Sequence, residues 1–419
     1  MQTYDSYKNS GIDWLGEIPS HWELYKLKFL FTEKRKTLNP NLPAGSISFG
    51  EVVFKDDEKI PESTKATYQE VLAGDYLINP LNLNYDLISL RIALSKIDVV
   101  VSSGYIVLQD ITDINKEYYR WLLHQYDVAY MKLLGSGVRQ TISFNHITNS
   151  LLPTPPISEQ EAIATFLDEK CGKIDELVSV KEQQIALLKE CRQVVIHEAV
   201  TKGLQPNMEL KDSGIDWIGE ILSHWEVKRL KYVFNKILTG TTPSTTNEKY
   251  FDGEISWYNP KDLNNEILDS SEKKVSELAI KDGSAKLFVG DSVLIVGIGA
   301  TAGKTSYLKS KGTFNQQITG FYSSLNYNLF YFYYMKSISK VMLSLAQFTT
   351  LPILNNEFFK KLFLPVPPIS EQEAIVAYLD EQTGKIDQAI ALKTEQIEKL
   401  KAYKQSLINE VVTGKVKVA

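Results

Sequence analysis

The chain has 419 residues, 43% of them hydrophobic and 23% charged, with a formal net charge of −5. That length holds two or three domains of an ordinary folded protein, and the mild acidity argues against a protein that coats nucleic acid without selection. No apolar run reaches the roughly 18 to 20 residues needed to span a bilayer, and the polar start Met1-Gln2-Thr3-Tyr4-Asp5-Ser6-Tyr7 lacks the apolar stretch of a signal peptide.

The first element in chain order is a motif, Ser10-Gly11-Ile12-Asp13-Trp14-Leu15-Gly16-Glu17-Ile18, followed by His21-Trp22-Glu23. Behind it lies an insert of mixed α/β character. Tyr76-Leu77-Ile78 and Val99-Val100-Val101 read as short strands punctuated by Gly, Asn and Pro, and Lys116 to Leu133 reads as a helix.

Next comes Pro155-Pro156-Ile157-Ser158-Glu159-Gln160-Glu161-Ala162-Ile163. The prolines stop any helix from running through, and Ser158 with Glu161 fits a Ser-x-x-Glu capping box. A long proline-free stretch follows, with Ile163, Leu167, Ile174, Leu177, Ile185, Leu188, Val195 and Ala199 along one face. Gly172 interrupts it at a cost of about 1 kcal/mol or marks a bend. An unbroken helix of that length would run roughly 65 Å at 1.5 Å per residue, too long to bury its stripe against one small domain. Cys171 and Cys191 fall on this one helix, so they cannot pair within it and form no metal-ligand set; a reducing, cytoplasmic location is expected.

Thr201 to Asn207 reads as a helix stop and linker, after which the chain repeats itself. Ser213-Gly214-Ile215-Asp216-Trp217-Ile218-Gly219-Glu220-Ile221 leads to His224-Trp225-Glu226 and a second, unlike insert. Its strands are expected at Ser292 to Val296 and Gly320 to Tyr322, with helical sequence from Leu329 to Leu345. From Glu226 to Pro365 there are seventeen Lys and Arg against twelve Asp and Glu, whereas the first insert is near balance. Pro367 to Ile375 then repeats Pro155 to Ile163 letter for letter. Ser370 and Glu373 repeat the capping pattern, Gly384 repeats Gly172, and Ile375, Leu379, Ile386, Ala389, Ile397, Leu400, Leu407 and Val411 repeat the stripe in register. Lys181 and Lys393 break the two stripes at the same place. The obvious partner of each long helix is the other, antiparallel to it. The segments are therefore 1–150, the first insert domain with its leading repeat; 151–209, the first long helix and linker; 210–362, the second insert domain with its leading repeat; and 363–419, the second long helix.

Catalytic chemistry is scarce. Gly297-Ile298-Gly299-Ala300-Thr301-Ala302-Gly303-Lys304-Thr305 misses a phosphate-binding P-loop because Ile298 stands where Gly is required, and a dinucleotide motif fails by the same slip. The loop still offers backbone N–H groups and Lys304 to a phosphate. Neither Asn79-Pro80-Leu81-Asn82 nor Asn259-Pro260-Lys261-Asp262 has the Asn-Pro-Pro-Tyr form that holds a target base for methylation. Asp57-Glu58-Lys59 reads as a solvated loop, and His21 and His224 read as structural partners of their tryptophans. No hydrolase triad, carboxylate pair or zinc set stands out.

The doubled Pro-x-Pro-Pro-Ile-Ser-Glu-Gln-Glu-Ala-Ile ahead of a long helix resembles the constant regions of type I restriction–modification specificity subunits. Ser-Gly-Ile-Asp-Trp-x-Gly-Glu-Ile resembles the approach to their target recognition domains. In the second insert Thr239-Gly240-Thr241-Thr242-Pro243-Ser244, Trp257 to Leu263, the Gly299 to Lys304 loop and Asn315-Gln316-Gln317 are similar to the pattern of such domains; the first insert has no clear counterpart of the Gly-Thr-x-Pro-Ser stretch or the Gly-rich loop.

The resemblance implies a mixed α/β (α+β) fold with two target recognition domains joined by two long antiparallel coiled-coil-like helices in a pseudo-twofold internal repeat. It also implies a non-catalytic subunit, each insert reading half of a split, asymmetric target in double-stranded DNA while the helices set the gap. The expected partners are two modification subunits, carrying S-adenosylmethionine, and restriction subunits, using ATP and Mg²⁺; this chain itself is expected to bind no cofactor or metal.

Base reading calls for forked donors at guanine and amides at adenine. The candidates are Arg139 and Gln140 in the first insert, and Lys261, Lys304, Asn315, Gln316 and Gln317 in the second. The low net charge leaves open a helical adaptor whose inserts bind proteins; weak salt dependence of nucleic-acid binding would mark that alternative.

Overall fold

The computed structural model describes every residue except 1, 49, 83–90, 132–139, 349–351 and 419. The chain forms two compact units, Met1–Glu182 with Glu395–Ala419, and Gln183–Thr394. Each therefore holds one insert and one half of each long helix.

The long helices span Ile157–Lys202 and Ile369–Val412, 46 and 44 residues. They begin one residue ahead of the expected caps, so Ser158 and Ser370 are already helical. The carbonyl of Pro156 accepts the N–H groups of Glu159 and Gln160 at 2.9 and 3.0 Å, and Pro368 does the same for Glu371 and Gln372 at 2.9 and 3.0 Å. The two Ser-x-x-Glu capping boxes do not form. Their second half would bond the cap's own N–H, and a proline cap has none. Both helices stop at left-handed glycines, Gly203 (φ +70°) and Gly414 (φ +75°).

The helices run antiparallel within each unit. In the first, Ile163, Leu167, Cys171 and Ile174 share a core with Leu407, Ile408, Val411 and Val412, and Lys404 reaches Asp175 at 2.6 Å. In the second, Ile196, Ala199 and Val200 share a core with Ile375, Val376 and Leu379, and Arg192 Nε donates to Asp387 at 3.0 Å. The lysines that interrupt the stripes form a repeated polar step: Lys181 donates to Gln396 in the first unit and Lys393 to Gln184 in the second, each at 2.6 Å. A buried or half-buried polar step fixes helix register at some loss of apolar contact. Leu177, expected on the buried stripe, is 51% exposed, because the helices there have left the domain that covers their ends.

Gly172 and Gly384 are helical, and a Cβ added at either meets nothing within 4 Å. Gly172→Ala and Gly384→Ala are each expected to stabilise the chain by about 0.5 to 1 kcal/mol, seen as raised denaturation midpoints; a lowered midpoint would show that a bend is needed there.

Each insert is looped out from a closed stem. Glu23–Lys26, entering the first insert, pairs antiparallel with Leu151–Thr154, leaving it; Glu226–Arg229 and Phe363–Val366 do the same for the second. The leading repeats form hairpins, Tyr7–Asn9 with Glu17–Pro19 and Leu210–Asp212 with Glu220–Leu222. Inside the first insert a four-stranded sheet has the order Ile92–Leu94, Tyr76–Ile78, Ile106–Asp110, Phe31–Glu33. Inside the second a five-stranded sheet runs Lys236–Thr239, Ile318–Tyr322, Ser292–Val296, Thr305–Leu308, Ile267–Leu268. Four of these strands match the first sheet one for one in reverse listing, so the two unlike inserts share a four-strand order, to which the second adds Ile267–Leu268 in parallel at its edge.

A helix packs beside each sheet, Lys116–Ala129 and Asn328–Ser337. The first ends four residues short of the expected Leu133, whose own position is outside the described residues. The second is broken at Ile338, with Ser339–Leu345 following as a separate helix.

Candidate nucleic-acid interface

The letters shared by both copies form a socket for the inserts. Glu159, in the first turn of its helix, accepts from Trp22 Nε1 at 3.0 Å and Tyr4 Oη at 3.0 Å, and lies 2.6 Å from His21 Nε2. Glu371 accepts from Trp225 Nε1 at 2.9 Å and lies 2.7 Å from His224 Nε2. Trp22 and Trp225 are fully buried, so their indole N–H groups need these acceptors. The helix N-terminus also favours the carboxylates. The histidines are thus structural, as their place in the repeat implied.

Gln160 and Gln372 are buried and do the next task. Gln160 Oε1 accepts the N–H of Asn115 at 2.9 Å and its Nε2 donates to the Pro155 carbonyl at 2.9 Å. Gln372 accepts the N–H of Tyr327 at 2.9 Å and donates to Pro367 at 2.9 Å. Asn115 and Tyr327 are the residues that cap the insert helices. About two helix turns further on, Asp168 accepts from Trp121 Nε1 at 2.8 Å and Asp380 from Tyr333 Oη at 2.6 Å. Glutamate and glutamine in the doubled block therefore hold the stem and the insert helix, a role that capping alone did not foresee. Asp168, Asp380, Asp175 and Asp387 were not singled out from sequence, although Leu-Asp-Glu at 167–169 recurs at 379–381 and Gly-Lys-Ile-Asp at 172–175 recurs at 384–387.

Anchoring one side of each insert leaves the sheet ends to face outward. In the second unit the strands ending at Thr239, Tyr258, Val296 and Phe314, and those starting at Ile267, Thr305 and Ile318, all meet at one end of the domain, because Tyr258 and Phe314 pair in parallel while Thr239 faces Thr319 and Val296 faces Ile318. The loops there carry every candidate of that insert. Lys261 is exposed, its backbone N–H held by Asn259 Oδ1 at 2.9 Å. Gln316 is exposed, and Thr242 Oγ1 donates to its side-chain Oε1. Gln317 donates from Nε2 to the Ile298 carbonyl at 3.3 Å, tying its loop to the Gly-rich one. Lys304 donates to Asn264. Asn315 is 7% exposed. It donates to Gln317 Oε1 at 3.1 Å and accepts the Gln317 N–H at 3.1 Å, so it shapes the loop that presents its neighbours. Gly240 is required: a Cβ there would lie 2.0 Å from the Phe314 carbonyl oxygen.

In the first unit Arg139 lies outside the described residues. Gln140 falls in the strand Gln140–Thr141, paired with Leu81–Asn82 beyond the end of the Tyr76–Ile78 strand. The second unit has the same arrangement as a single bridge between Ile298 and Ile353. At the root of this region Arg91, 3% exposed, donates to Asp127 at 3.0 Å.

The chain matches, over residues 19–187 and 223–402, the family described as type I restriction modification DNA specificity domain. It belongs to that family. The specificity subunit is 22% identical over 426 residues to the type I restriction enzyme MjaVIII specificity subunit of Methanocaldococcus jannaschii, covering 96% of this chain and 94% of that one. It is 28% identical over 214 residues to the type I restriction enzyme EcoR124I/EcoR124II specificity subunit of Escherichia coli, 48% of this chain and 50% of that one. Its fold is similar to that of a chain solved in work on complex assembly and conformational transition of the type I R-M system, with TM-score 0.71 and 17% identity over 95% of this chain and 99% of the other. The specificity subunit is the non-catalytic, DNA-recognising component of a restriction–modification complex. No helix among the described residues is long and apolar enough to cross a membrane, and no group of three or more His, Cys, Asp or Glu among them is placed to hold a metal ion.

Proposed function

We propose that the two inserts read the two halves of one split, asymmetric target in double-stranded DNA, and that the paired helices set the distance between the halves. The carrying observation is that two inserts with one four-strand order but unlike sequence sit in sockets built from the same repeated residues, Glu159 and Gln160 or Glu371 and Gln372. The second half-target is read from the sheet end that carries Lys261, Gln316 and Gln317, with Lys304 supplying charge and Asn315 holding the loop. The first is read from the end that carries Gln140, which Arg139 precedes in the sequence. Amides and cations suit this work: each good bidentate base contact discriminates by about 1 to 3 kcal/mol.

The repeated helices dock two modification subunits, one per half, and the assembly also takes restriction subunits; exposed Leu177, Val180, Leu187 and Leu392 offer apolar contact for such partners. S-adenosylmethionine, ATP and Mg²⁺ act on those partners, in the cytoplasm.

The test is a long-read map of methylated adenines in cells with the gene intact and deleted, alongside an active modification partner. One split, asymmetric motif should lose methylation on deletion. Exchange of residues 226–365 for another insert should then change one half of the motif and leave the other half and the gap unaltered. A motif that changes in both halves would rule out one insert per half-target.

A further inference from the structure

The first insert has no legible counterpart of the Gly-Thr-x-Pro-Ser stretch, but its strand register supplies one. Val296 faces Ile318 in the second unit and Ile78 faces Ile106 in the first. Counting on from those pairs, Leu238 faces Gly320 where Glu33 faces Leu108. Gly240-Thr241-Thr242 is therefore matched by Arg35-Lys36-Thr37. The same count matches Asn315-Gln316-Gln317 to Ser103-Gly104-Tyr105.

The contact between the two loops is preserved with different chemistry. In the second unit Thr241 donates its N–H to the Phe314 carbonyl at 2.9 Å and Thr242 donates to Gln316. In the first, Lys36 Nζ donates to the Ser103 carbonyl at 2.8 Å. The run Lys34-Arg35-Lys36 is not uniformly available. Lys34 is turned in and neutralised, 2.7 Å from Asp75 and 3.6 Å from Glu70. Arg35 and Lys36 are exposed, and among the described residues the Arg35 guanidinium has no acceptor. A forked cation so placed, beside a second cation steered by a backbone carbonyl, matches the geometry and charge of a DNA phosphate or a guanine edge.

We infer that Arg35 and Lys36, on the loop after Phe31–Glu33, are DNA contacts of the first recognition domain, at the place where the second domain presents Gly240 to Thr242. This rests on the function proposed above. Lys96 is the natural control. It is exposed and lies between Ile92–Leu94 and Val99–Val101, at the opposite end of the sheet.

The full chain with its cognate modification subunit would be titrated with its mapped target at several salt concentrations. For Arg35→Ala with Lys36→Ala the expected result is affinity about tenfold lower and a salt slope smaller by about 1 to 2, one per lost phosphate contact. Lys96→Ala should match the wild type. Arg35→Ala alone removes no internal hydrogen bond, so it should melt as the wild type does and reduce the slope by about 1. Wild-type recognition with both Arg35 variants unchanged, or with Lys96→Ala equally impaired, overturns this assignment alone. A wild-type complex without sequence preference overturns it together with the reading on which it rests.

Discussion

Replacing Glu159 by alanine is expected to destabilise the first unit by about 3 kcal/mol, against about 2 kcal/mol for Glu371→Ala in the second. The difference follows from the donors left without an acceptor. Glu159 serves Trp22, His21 and Tyr4, whereas Glu371 serves Trp225 and His224. Both tryptophans are fully buried with the carboxylate in place, and water admitted at the vacated glutamate positions, 20% and 36% exposed, restores only part of the lost bond. Hydrogen exchange resolved by unit is the suitable measurement, because a chain with two cores need not unfold in one step. Equal losses in the two units would show that the Tyr4 hydroxyl contributes nothing.

The same clamp is sensitive to acid. Burial pushes the Glu159 pKa upward, but hydrogen bonds from Trp22, His21 and Tyr4 outweigh it and hold the carboxyl below its ordinary value of 4.5. A depressed folded pKa stabilises the fold above the unfolded value, and that contribution is lost as pH falls from about 4.5 through the folded value. Protection of the first unit should fall over that range in the wild type, and Glu159→Gln should remove this part of the slope.

Arg192→Ala is expected to destabilise the second unit by about 2 to 3 kcal/mol, while Lys404→Ala, at the same register in the first, should cost under about 1 kcal/mol. Both residues pair with the aspartate of a repeated Gly-Lys-Ile-Asp. The Arg192 side chain is 9% exposed and also reaches Glu266 of the insert at 2.9 Å, and Lys336 converges on the same carboxylate. Removing Arg192 therefore cuts one of the ties between the insert and its helices, leaving those through Gln372 and Asp380. Its acidic partners are about half exposed, at 44% and 54%, so hydration recovers part of the loss and the effect stays below that of a sealed ion pair. Among the described residues Lys404 bonds Asp175 alone, and that carboxylate is 61% exposed. Equal costs from denaturation of the two variants would show that the contact with Glu266 adds nothing. A selective loss of methylation at the second half-target by Arg192→Ala would show that the tie also orients the reading edge.

Much of the site was visible before folding, though not the reason for it. Identical letters at 155–163 and 367–375 marked a constant frame, but local capping rules assigned Ser158 a role that belongs to Pro156, because they do not see that the chain already turns at the proline. Glu159 and Gln160 looked like helix-start residues, and only the folded chain brings Trp22 and the N–H of Asn115 within their reach. In the second insert the Gly-rich loop and Asn315 to Gln317 were legible as motifs. Their separate tasks were not, since burial of Asn315 and exposure of Gln316 depend on strands distant in sequence.

The repeat, the two long amphipathic helices, the strand-rich inserts and the family can be read from the letters, since these depend on local periodicity and on stretches that can be compared directly. Tertiary structure alone decided that the unlike inserts share one sheet order, and that Arg35 stands where Gly240 stands. Strand order and register are set by long-range backbone pairing and by which face is buried, and many side-chain sequences satisfy the same pairing. A topology can therefore outlast the letters that would have announced it.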